Sequence, residues 1–457
     1  MKATIGQAYQ LFHQGTQALA EVERAGMRID VARLDSTVKE VGNQIEELIS
    51  GMTQSGVWKL WKKRWGVKAN LGSRYQLGPV LFEDMDYTST SKTKTGRTQV
   101  NEESLEQVDN PFVKDYLRLE KLKKLQSTYL KGIRRETVNG FLHPSFNLHL
   151  VKSFRSSADS PNFQNIPIRD PEVGKLIRSC FIPREDHVLV EVDYSALEFR
   201  VAAMHWRDEA MIAYASDSTL DVHRDMAAEC YCLPVDRVPK KCRFFAKNQF
   251  VFPQLYGSFY ANCARSLWGM ISSAELTTDD GVGLFEHLAD RGIDRLGSCD
   301  GSRRPEKGTF EKHIMEVETR FRDKFPQWAK RKEQWWKKYR KCGWFDMMTG
   351  FRCQGVYSRN QLYNIPIQGP AFHLLLWSLI QVVRTLKRDK MRSRVVGQIH
   401  DSIVADVHRD ELNEYLSLVK RVMTVDVREH WPWVVVPLEI EVEKSETNWF
   451  EKVAVEA

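Results

Sequence analysis

Two aspartates in this sequence have surroundings that suit the binding of divalent metal ions. Asp193 comes at the end of a β-branched apolar run within HVLVEVDYSALEF, residues 187–199, which predicts a buried strand that presents the carboxylate. Asp401 lies with His400 and Ser402 in a polar tight turn between two apolar runs, a pattern that favours a β-hairpin. Side by side on one sheet, two such carboxylates could share two ions roughly 3.5 to 4 Å apart and promote in-line phosphoryl transfer. Spacing alone does not select them, because any two aspartates could be proposed.

The segments that would position these carboxylates are mainly helical. Residues 18–49 and 116–136 carry apolar residues at helical spacing, and a polar break in the first segment predicts helix, turn, helix. The pattern from 203 to 345 is again helical, except for a polar, glycine-containing stretch at 278–308 that indicates an insertion or a small subdomain. The apolar runs that carry the aspartates therefore lie between and after long helical segments.

Two segments combine basic and aromatic residues. Residues 58–75 hold three Trp, one Tyr and six basic residues, and residues 319–342 hold ten Lys or Arg with six aromatic residues. Such compositions suit neutralisation of a nucleic-acid backbone together with packing on bases or sugars. A charged surface helix that buries its aromatic stripe is the alternative explanation for each segment.

The overall composition is that of a globular protein. With 457 residues, 42% of them hydrophobic, the chain can bury a sizeable core, and its net charge of +7 suits a polyanionic partner without requiring one. Eight cysteines lack any CxxC spacing, which predicts reduced thiols and no zinc site. No apolar run approaches the roughly 18 to 20 residues that span a bilayer, and no signal peptide is recognisable. We therefore expect a soluble intracellular protein with no membrane partner.

Five ordered motifs resemble those of family A DNA polymerases, the group of bacterial DNA polymerase I and phage replicative enzymes. DYSALEFR at 193–200 resembles motif A, usually DYSQIELR, and QIHDS at 398–402 resembles motif C, usually VHDE. RFFAKNQFVFPQLYG at 243–257 resembles motif B, usually RxxxKxxxFxxxYG. SPNFQNIP at 160–167 and NIPIQGPA at 364–371 resemble two further segments of the family. The probability that five motifs in the same order agree by chance is very small.

The resemblance covers almost the whole chain, from about Leu19 to Trp449, through LAEVERAGMRID, SRYQL, KTKTG at 92–96 and the terminal NWF. The sequence begins where the polymerase region of the family begins. From this we expect no 3′–5′ exonuclease domain and no intrinsic proofreading. A separate exonuclease or a processivity factor is then a candidate partner, and the cytoplasm of a bacterial or phage-infected host cell is the expected location.

The resemblance implies an α+β fold of the right-hand polymerase type, with an antiparallel-sheet palm and largely helical fingers and thumb. The expected units are an N-terminal helical segment that packs on the palm (1–30), the thumb (31–140), the palm with motif A (141–206), the fingers with motif B and the insertion (207–345), and the palm with motif C (346–457).

The resemblance also implies roles for individual residues. Two Mg²⁺ ions, with Mn²⁺ as a possible substitute, are expected on Asp193, Asp401 and the carbonyl of Tyr194. Glu198 is the expected steric gate against a ribose 2′-OH. The incoming triphosphate is expected to meet His223, Arg243 and Lys247, of which Lys247 is also counted as catalytic. The expected sugar and base contacts are Phe252 and Tyr256, and the expected DNA contacts are Arg155, Asn364, Gln368 and His400.

Two departures from the family pattern bear on these roles. Motif C has Ser402 where the family usually has Glu, which removes one carboxylate beside the metals. In motif B, Tyr256 comes nine positions after Lys247 rather than eight, and Pro253 falls within the helix, so we expect a bulge or kink. Counting from Lys247 places Val251 at the sugar, whereas counting back from Tyr256 places Phe252 there. In the family, Phe at that position favours substrates with a 3′-OH and Tyr admits dideoxynucleotides.

The sequence is thus interpreted as a template-directed DNA polymerase that adds deoxynucleotides to a primer 3′-OH, with primer-template DNA and deoxynucleoside triphosphates as partners. A single-subunit RNA polymerase is the nearest alternative, although Glu198 and PNFQNIP argue against it. A catalytically silent nucleic-acid-binding subunit that kept the fold is the alternative from another class, and the retention of both aspartates argues against it.

Overall fold

The computed structural model describes residues 3–88, 99–167, 170–301 and 304–456, and KTKTG at 92–96 lies outside this part of the chain. Antiparallel sheets are surrounded by helices. The strands, in chain order, are β1 (Met27–Ile29), β2 (Thr137–Val138), β3 (Phe141–Leu142), β4 (Ser145–Asn147), β5 (Ser157–Asp159), β6 (Phe181–Ile182), β7 (His187–Tyr194), β8 (Trp344–Asp346), β9 (Arg352–Gln354), β10 (Arg394–Ile399), β11 (Ser402–His408), β12 (Ile440–Ser445) and β13 (Val453–Ala454).

The helices precede the first strand and lie between the later ones. The first ten are α1 (Ile5–Ala25), α2 (Val31–Gln54), α3 (Gly56–Trp65), α4 (Arg74–Pro79), α5 (Glu102–Glu106), α6 (Pro111–Lys124), α7 (Lys131–Glu136), α8 (Pro171–Arg178), α9 (Leu197–Trp206) and α10 (Glu209–Ser216). The next ten are α11 (Val222–Tyr231), α12 (Lys240–Ala246), α13 (Phe252–Leu255), α14 (Tyr260–Ser273), α15 (Leu284–Ala289), α16 (Phe310–Lys324), α17 (Pro326–Cys342), α18 (Arg359–Arg388), α19 (Leu412–Arg421) and α20 (Val427–His430).

The largest sheet has five strands in the order β10-β11-β7-β12-β13, with antiparallel pairing throughout. Strand β7 forms the centre of this sheet. Its side chains alternate between the two faces, and Val188, Val190 and Val192 point into a core shared with α1, α9 and α18. The opposite face of β7 carries Glu191 and Asp193. The predicted strand within 187–199 thus ends one residue after Asp193, and the chain then enters α9.

A second core lies among the N-terminal helices. It joins α2, α3, α6 and α7 to β1 and β6 and extends to the far face of the large sheet, where it includes Phe163 and Trp449. Helix α1 lies instead against α18 and β10, and Gly15 is needed there because a Cβ would lie 2.8 Å from the Leu376 side chain. The predicted domain boundaries stay predictions.

The two basic and aromatic segments bury some of their rings, although Tyr75 is exposed. In 58–75, Trp58 and Trp61 are buried in the N-terminal core, while neighbouring lysines are exposed. In 319–342, Phe321, Phe325 and Trp328 are buried in the other core. The structure therefore favours the alternative explanation for these buried rings, although the exposed cations of both segments can still neutralise phosphates.

Helix α18 corrects the expectation that no apolar run approaches the length that spans a bilayer. Its 30 residues include a window of mean hydropathy 1.2, which is long and apolar enough to cross a membrane by length and composition. Within the protein 83% of that window is buried. The apolar composition is explained by its position in the core, where α1 and the large sheet cover it.

The polar stretch at 278–308 has little regular structure, with α15 as its helix among the described residues. It is anchored at its C-terminal side, where the amide of Cys299 donates to the buried carboxylate of Glu311 at 2.9 Å. Arg265 of α14 donates to the carbonyl of Cys299 at 2.6 Å. These two bonds hold the stretch between α14 and α16.

Candidate active site

The two aspartates lie together at one end of the large sheet. Asp193 is the penultimate residue of β7, and Asp401 lies in the turn between β10 and β11. The register pairs Ser402 with Asp193, and the amide of Tyr194 donates to the carbonyl of Asp401 at 3.3 Å. Residues 394–408 thus form the predicted β-hairpin, although Ser402 belongs to the strand rather than to the turn.

The surroundings of this pair raise the pKa of both carboxyl groups. Asp193 keeps contact with solvent, but the protein crowded around it, together with repulsion from Asp401, Glu191 and Glu441, raises its pKa to about 7. Burial also raises the pKa of Asp401, against the attraction of two nearby cations, and its Oδ1 accepts no hydrogen bond from the residues that the structure describes. Carboxylates arranged in this way favour a bound cation.

Oxygen ligands of this kind fit Mg²⁺, which proteins usually hold through one or two carboxylates and substrate phosphates rather than a complete protein cage. Accordingly, the described residues contain no group of three or more His, Cys, Asp or Glu arranged to hold a metal. The side chain of Tyr194 points to the opposite face of the sheet from Asp193, and its hydroxyl lies 3.0 Å from Ser378 Oγ and donates to the carbonyl of Met423 at 2.9 Å. Only the backbone of Tyr194 can therefore serve as the predicted ligand.

The predicted gate residue, Glu198, lies on the first turn of α9. The turn into this helix passes through Ala196, which adopts a left-handed conformation with φ of 51°. Glu198 accepts a hydrogen bond from the Tyr256 hydroxyl, and its carboxylate lies 3.6 Å from the guanidinium of Arg155. The same guanidinium is 3.7 Å from Asp401. Motifs A, B and C therefore meet at these side chains.

The motif B helix contains the bulge expected from its extra residue. Residues Lys247–Val251 form a π-helical turn between α12 and α13, so the excess is absorbed before Phe252. The rings of Phe252 and Tyr256 are consequently one turn apart and stacked, with centroids 6.0 Å apart and planes 8° from parallel. Phe250 is instead buried against Phe321, with centroids 5.6 Å apart. Of the two phenylalanines, Phe252 faces the site.

Three predicted triphosphate contacts gather near this helix. Lys247 Nζ lies 5.6 Å from the centre of the Phe252 ring, and the His223 ring centre lies 5.6 Å from that ring. His223 is buried, and among the described residues its Nδ1 has no hydrogen-bond partner. Burial, then repulsion from Lys247 and Arg243, lowers its pKa to about 3. Arg243 Nε donates to Asp221 Oδ2 at 2.5 Å. The site thus offers two cations and a neutral imidazole.

The predicted DNA contacts lie on α18, at the motif C turn and on the loop that carries Arg155. Asn364 and Gln368 are one turn apart on α18, and Asn364 Oδ1 has no hydrogen-bond partner in the described part of the chain. His400 is exposed at the motif C turn with φ of 48°. Next to Gln368, Gly369 allows close approach, because a Cβ there would lie 2.6 Å from the carbonyl of Ser153. The loop that carries Arg155 is thereby held against α18.

A buried amide network supports the motif C turn, and reasoning from the sequence missed it. Gln398, fully buried, accepts from Ser156 and Gln164 at 2.7 Å each and donates to the carbonyl of His400 at 2.8 Å. Gln164 also donates to Ser156 at 2.8 Å. Both glutamines stand inside motifs that the sequence singled out, QIHDS and PNFQNIP, so their position in those motifs was the available signal.

Comparison with known proteins decides the family. The model for DNA polymerase family A matches residues 35–280 and 321–451, which is most of the chain. The chain belongs to DNA polymerase family A. The part that the family A model skips, 281–320, overlaps the predicted insertion at 278–308.

Individual family A relatives agree with this assignment. DNA polymerase I of Chloroflexus aurantiacus is 29% identical over 450 residues, covering 95% of this chain and 42% of the relative. DNA polymerase I of Bacillus subtilis is 29% identical over 441 residues, covering 95% of this chain and 44% of the relative. The thermostable DNA polymerase I of Thermus filiformis is 30% identical, covering 93% and 46%. The chain thus spans less than half the length of these relatives.

A solved family A structure has the same fold. The polymerase domain of Pol1 from M. smegmatis, in complex with DNA primer-template and dNTP, superposes with a TM-score of 0.74 at 26% identity. The superposition covers 96% of this chain and 70% of that chain. The predicted polymerase fold of mixed helices and antiparallel sheets is confirmed.

Proposed function

We propose that this chain is a DNA-directed DNA polymerase, which catalyses attack of a primer 3′-OH on a deoxynucleoside triphosphate and releases pyrophosphate. One observation carries the proposal: the register of β7 and β11 brings Asp193 of motif A beside Asp401 of motif C, opposite Lys247 of motif B. Primer-template DNA and deoxynucleoside triphosphates are the proposed partners. The primer-template and dNTP of the M. smegmatis complex support this choice.

Asp193 and Asp401, with the Tyr194 carbonyl, would hold two Mg²⁺ ions, for which Mn²⁺ could substitute. When bound, such ions supply activation of the 3′-hydroxyl and neutralisation of charge on the phosphates. Arg243 and Lys247 bind the triphosphate as cations, and neutral His223 can donate a hydrogen bond to it. Asp221 holds Arg243 through Nε, and Arg243 lies near enough to His223 to help lower the pKa of that imidazole.

The deoxyribose is selected by Glu198 in this proposal. Its carboxylate is fixed by Tyr256 and Arg155, so it cannot easily move away from a 2′-hydroxyl. Glu198→Ala is therefore expected to raise ribonucleotide incorporation by at least tenfold relative to deoxynucleotide incorporation, whereas Tyr256→Phe, which keeps the carboxylate, gives a smaller change. Unchanged sugar selectivity in Glu198→Ala would remove this residue from the gate.

Primer extension separates the candidate functions. The purified chain is incubated with Mg²⁺, a primer annealed to a template of defined sequence, and either deoxy- or ribonucleoside triphosphates, one base at a time. Addition of only the complementary deoxynucleotide supports the proposal. A preference for ribonucleotides indicates an RNA polymerase, and binding of DNA without extension indicates a catalytically silent subunit.

The proposal also includes a cytoplasmic location in a bacterial or phage-infected host cell. The eight cysteines support it, because they are all free and seven of them are at least partly buried. A separate exonuclease or processivity factor remains a candidate partner.

A further inference from the structure

Motif C of this chain has a serine where the family usually has a glutamate, and the structure shows a carboxylate beside that serine. Ser402 is paired with Asp193 across β11 and β7, so the two side chains lie on the same face of the sheet. Glu191, two residues before Asp193 on β7, lies on this face as well. Ser402 Oγ is 3.2 Å from Glu191 Oε1.

Glu191 is held in this position by two donors from the end of the chain. Trp449 Nε1 donates to its Oε2 at 2.8 Å, and Lys452 Nζ donates to the same oxygen at 2.7 Å. Trp449 is fully buried, and the side chains of Glu191 and Lys452 are 12% and 11% exposed. The carboxylate therefore stays beside Ser402 as an anion with a fixed orientation.

The position beside Ser402 is already occupied by a carboxylate, because Glu191 Oε1 lies within hydrogen-bond distance of Ser402 Oγ. A glutamate at position 402 would bring a second carboxylate close to that of Glu191. Two anions in contact on this half-buried face repel each other. A serine at position 402 avoids this repulsion.

We propose that Glu191 supplies, from strand β7, the carboxylate that motif C lacks, and that through its contact with Ser402 it positions the adjoining Asp401 for metal binding. The inference rests on the proposed function. It makes Glu191 a positioning residue, since Asp193 and Asp401 remain the metal ligands. Residues that orient metal ligands without binding the metal commonly change metal affinity by roughly 10- to 100-fold when replaced.

The first test measures metal binding without turnover. A primer that ends in a dideoxynucleotide forms a complex with template, correct dNTP and the chain that binds Mn²⁺ but cannot react, and titration followed by electron paramagnetic resonance gives the Mn²⁺ affinity. We expect Glu191→Gln to weaken Mn²⁺ binding by about tenfold. The matched control is Glu443→Gln, which also removes a partner of Lys452 but does not touch Ser402; it should change the affinity by less than about twofold. Equal affinities in wild type and Glu191→Gln would overturn the inference.

The second test exchanges the two residues. Ser402→Glu alone should lower both Mn²⁺ affinity and extension rate because two carboxylates compete for one place, and Glu191→Ser alone should lower both because none remains. The double variant, with one carboxylate restored, should return to within about threefold of wild type. If the double variant loses as much Mn²⁺ affinity and extension rate as the product of the losses in the two single variants, the inference is contradicted. If wild type itself neither binds Mn²⁺ in the complex nor extends a primer, the proposed function fails instead.

Discussion

Replacing Gln398 with leucine should separate the folding of the large sheet from the positioning of the motif C turn. Leucine keeps roughly the volume of glutamine but can make none of its hydrogen bonds. Gln398 accepts from Ser156 and Gln164 and donates to the carbonyl of His400, the residue before Asp401. The substitution therefore acts directly on the turn that carries one of the two aspartates.

The magnitude follows from the groups left without partners. The His400 carbonyl loses its donor, and the Gln164 amide and Ser156 hydroxyl lose an acceptor but keep each other. Each buried polar group left unsatisfied costs about 1 to 3 kcal/mol, so we expect Gln398→Leu to lower the free energy of unfolding by about 3 to 5 kcal/mol. A shift of about 1 Å in the position of Asp401 would also slow extension by roughly 100-fold.

The matched control is Val396→Ala on the same strand. Val396 is fully buried but its side chain makes no hydrogen bonds, so its truncation should cost about 2 kcal/mol of stability and leave the turn in place. Urea unfolding gives both stabilities, and single-turnover primer extension at a temperature where all variants are folded gives the rates. Extension by Gln398→Leu within twofold of Val396→Ala would refute the positioning role.

Three further predictions concern the aromatic residues of motif B, the packing of Gly369 on α18 and the pH dependence of stability at Glu411. Phe252→Tyr should raise dideoxynucleotide use relative to deoxynucleotides in competitive extension, and Phe250→Tyr should not, because Phe250 packs in the core; the reverse result would place the bulge after the sugar contact. Gly369→Ala should destabilise by about 1 to 3 kcal/mol in urea unfolding, while Gly269→Ala, with open space around it, should stabilise by about 0.5 to 1 kcal/mol; similar effects at both sites would contradict the packing. Burial opposes ionisation of Glu411, but the hydrogen bonds it accepts outweigh this and lower its pKa to about 2. Because solvent screens part of this effect, Glu411→Gln should cost about 1 to 2 kcal/mol at pH 7, with the difference shrinking as pH falls below about 4.5; a difference constant down to pH 3 would contradict it.

Much of the central sheet could be predicted from the sequence because its signals are local. Alternating β-branched residues before Asp193 and a polar turn at Asp401 each specify a strand or hairpin without reference to the rest of the chain. The bulge in motif B was predictable for a similar reason, since one extra residue before Tyr256 must be absorbed by the helix.

Features that depend on distant contacts could not be predicted in this way. The network of Gln398 joins residues more than 200 positions apart, and nothing in the spacing of glutamines indicates such a pairing. The proximity of Glu191 to Ser402 depends on the register of two strands, which the pattern of apolar residues does not fix at its ends. The burial of Trp61 and Trp328 depends on packing between helices, so composition suggested contact with nucleic acid instead.

The most direct test of the account is the effect of removing either aspartate on extension and on DNA binding in the same preparation. Asp193→Ala and Asp401→Ala should each reduce single-turnover extension with Mg²⁺ by at least 1,000-fold, on the order of what positioned metal ions contribute through several kcal/mol of charge stabilisation. Binding of primer-template, measured by fluorescence anisotropy, should stay within about threefold of wild type because basic residues elsewhere supply the affinity. Near-normal extension by either variant would show that these two carboxylates do not form the catalytic centre.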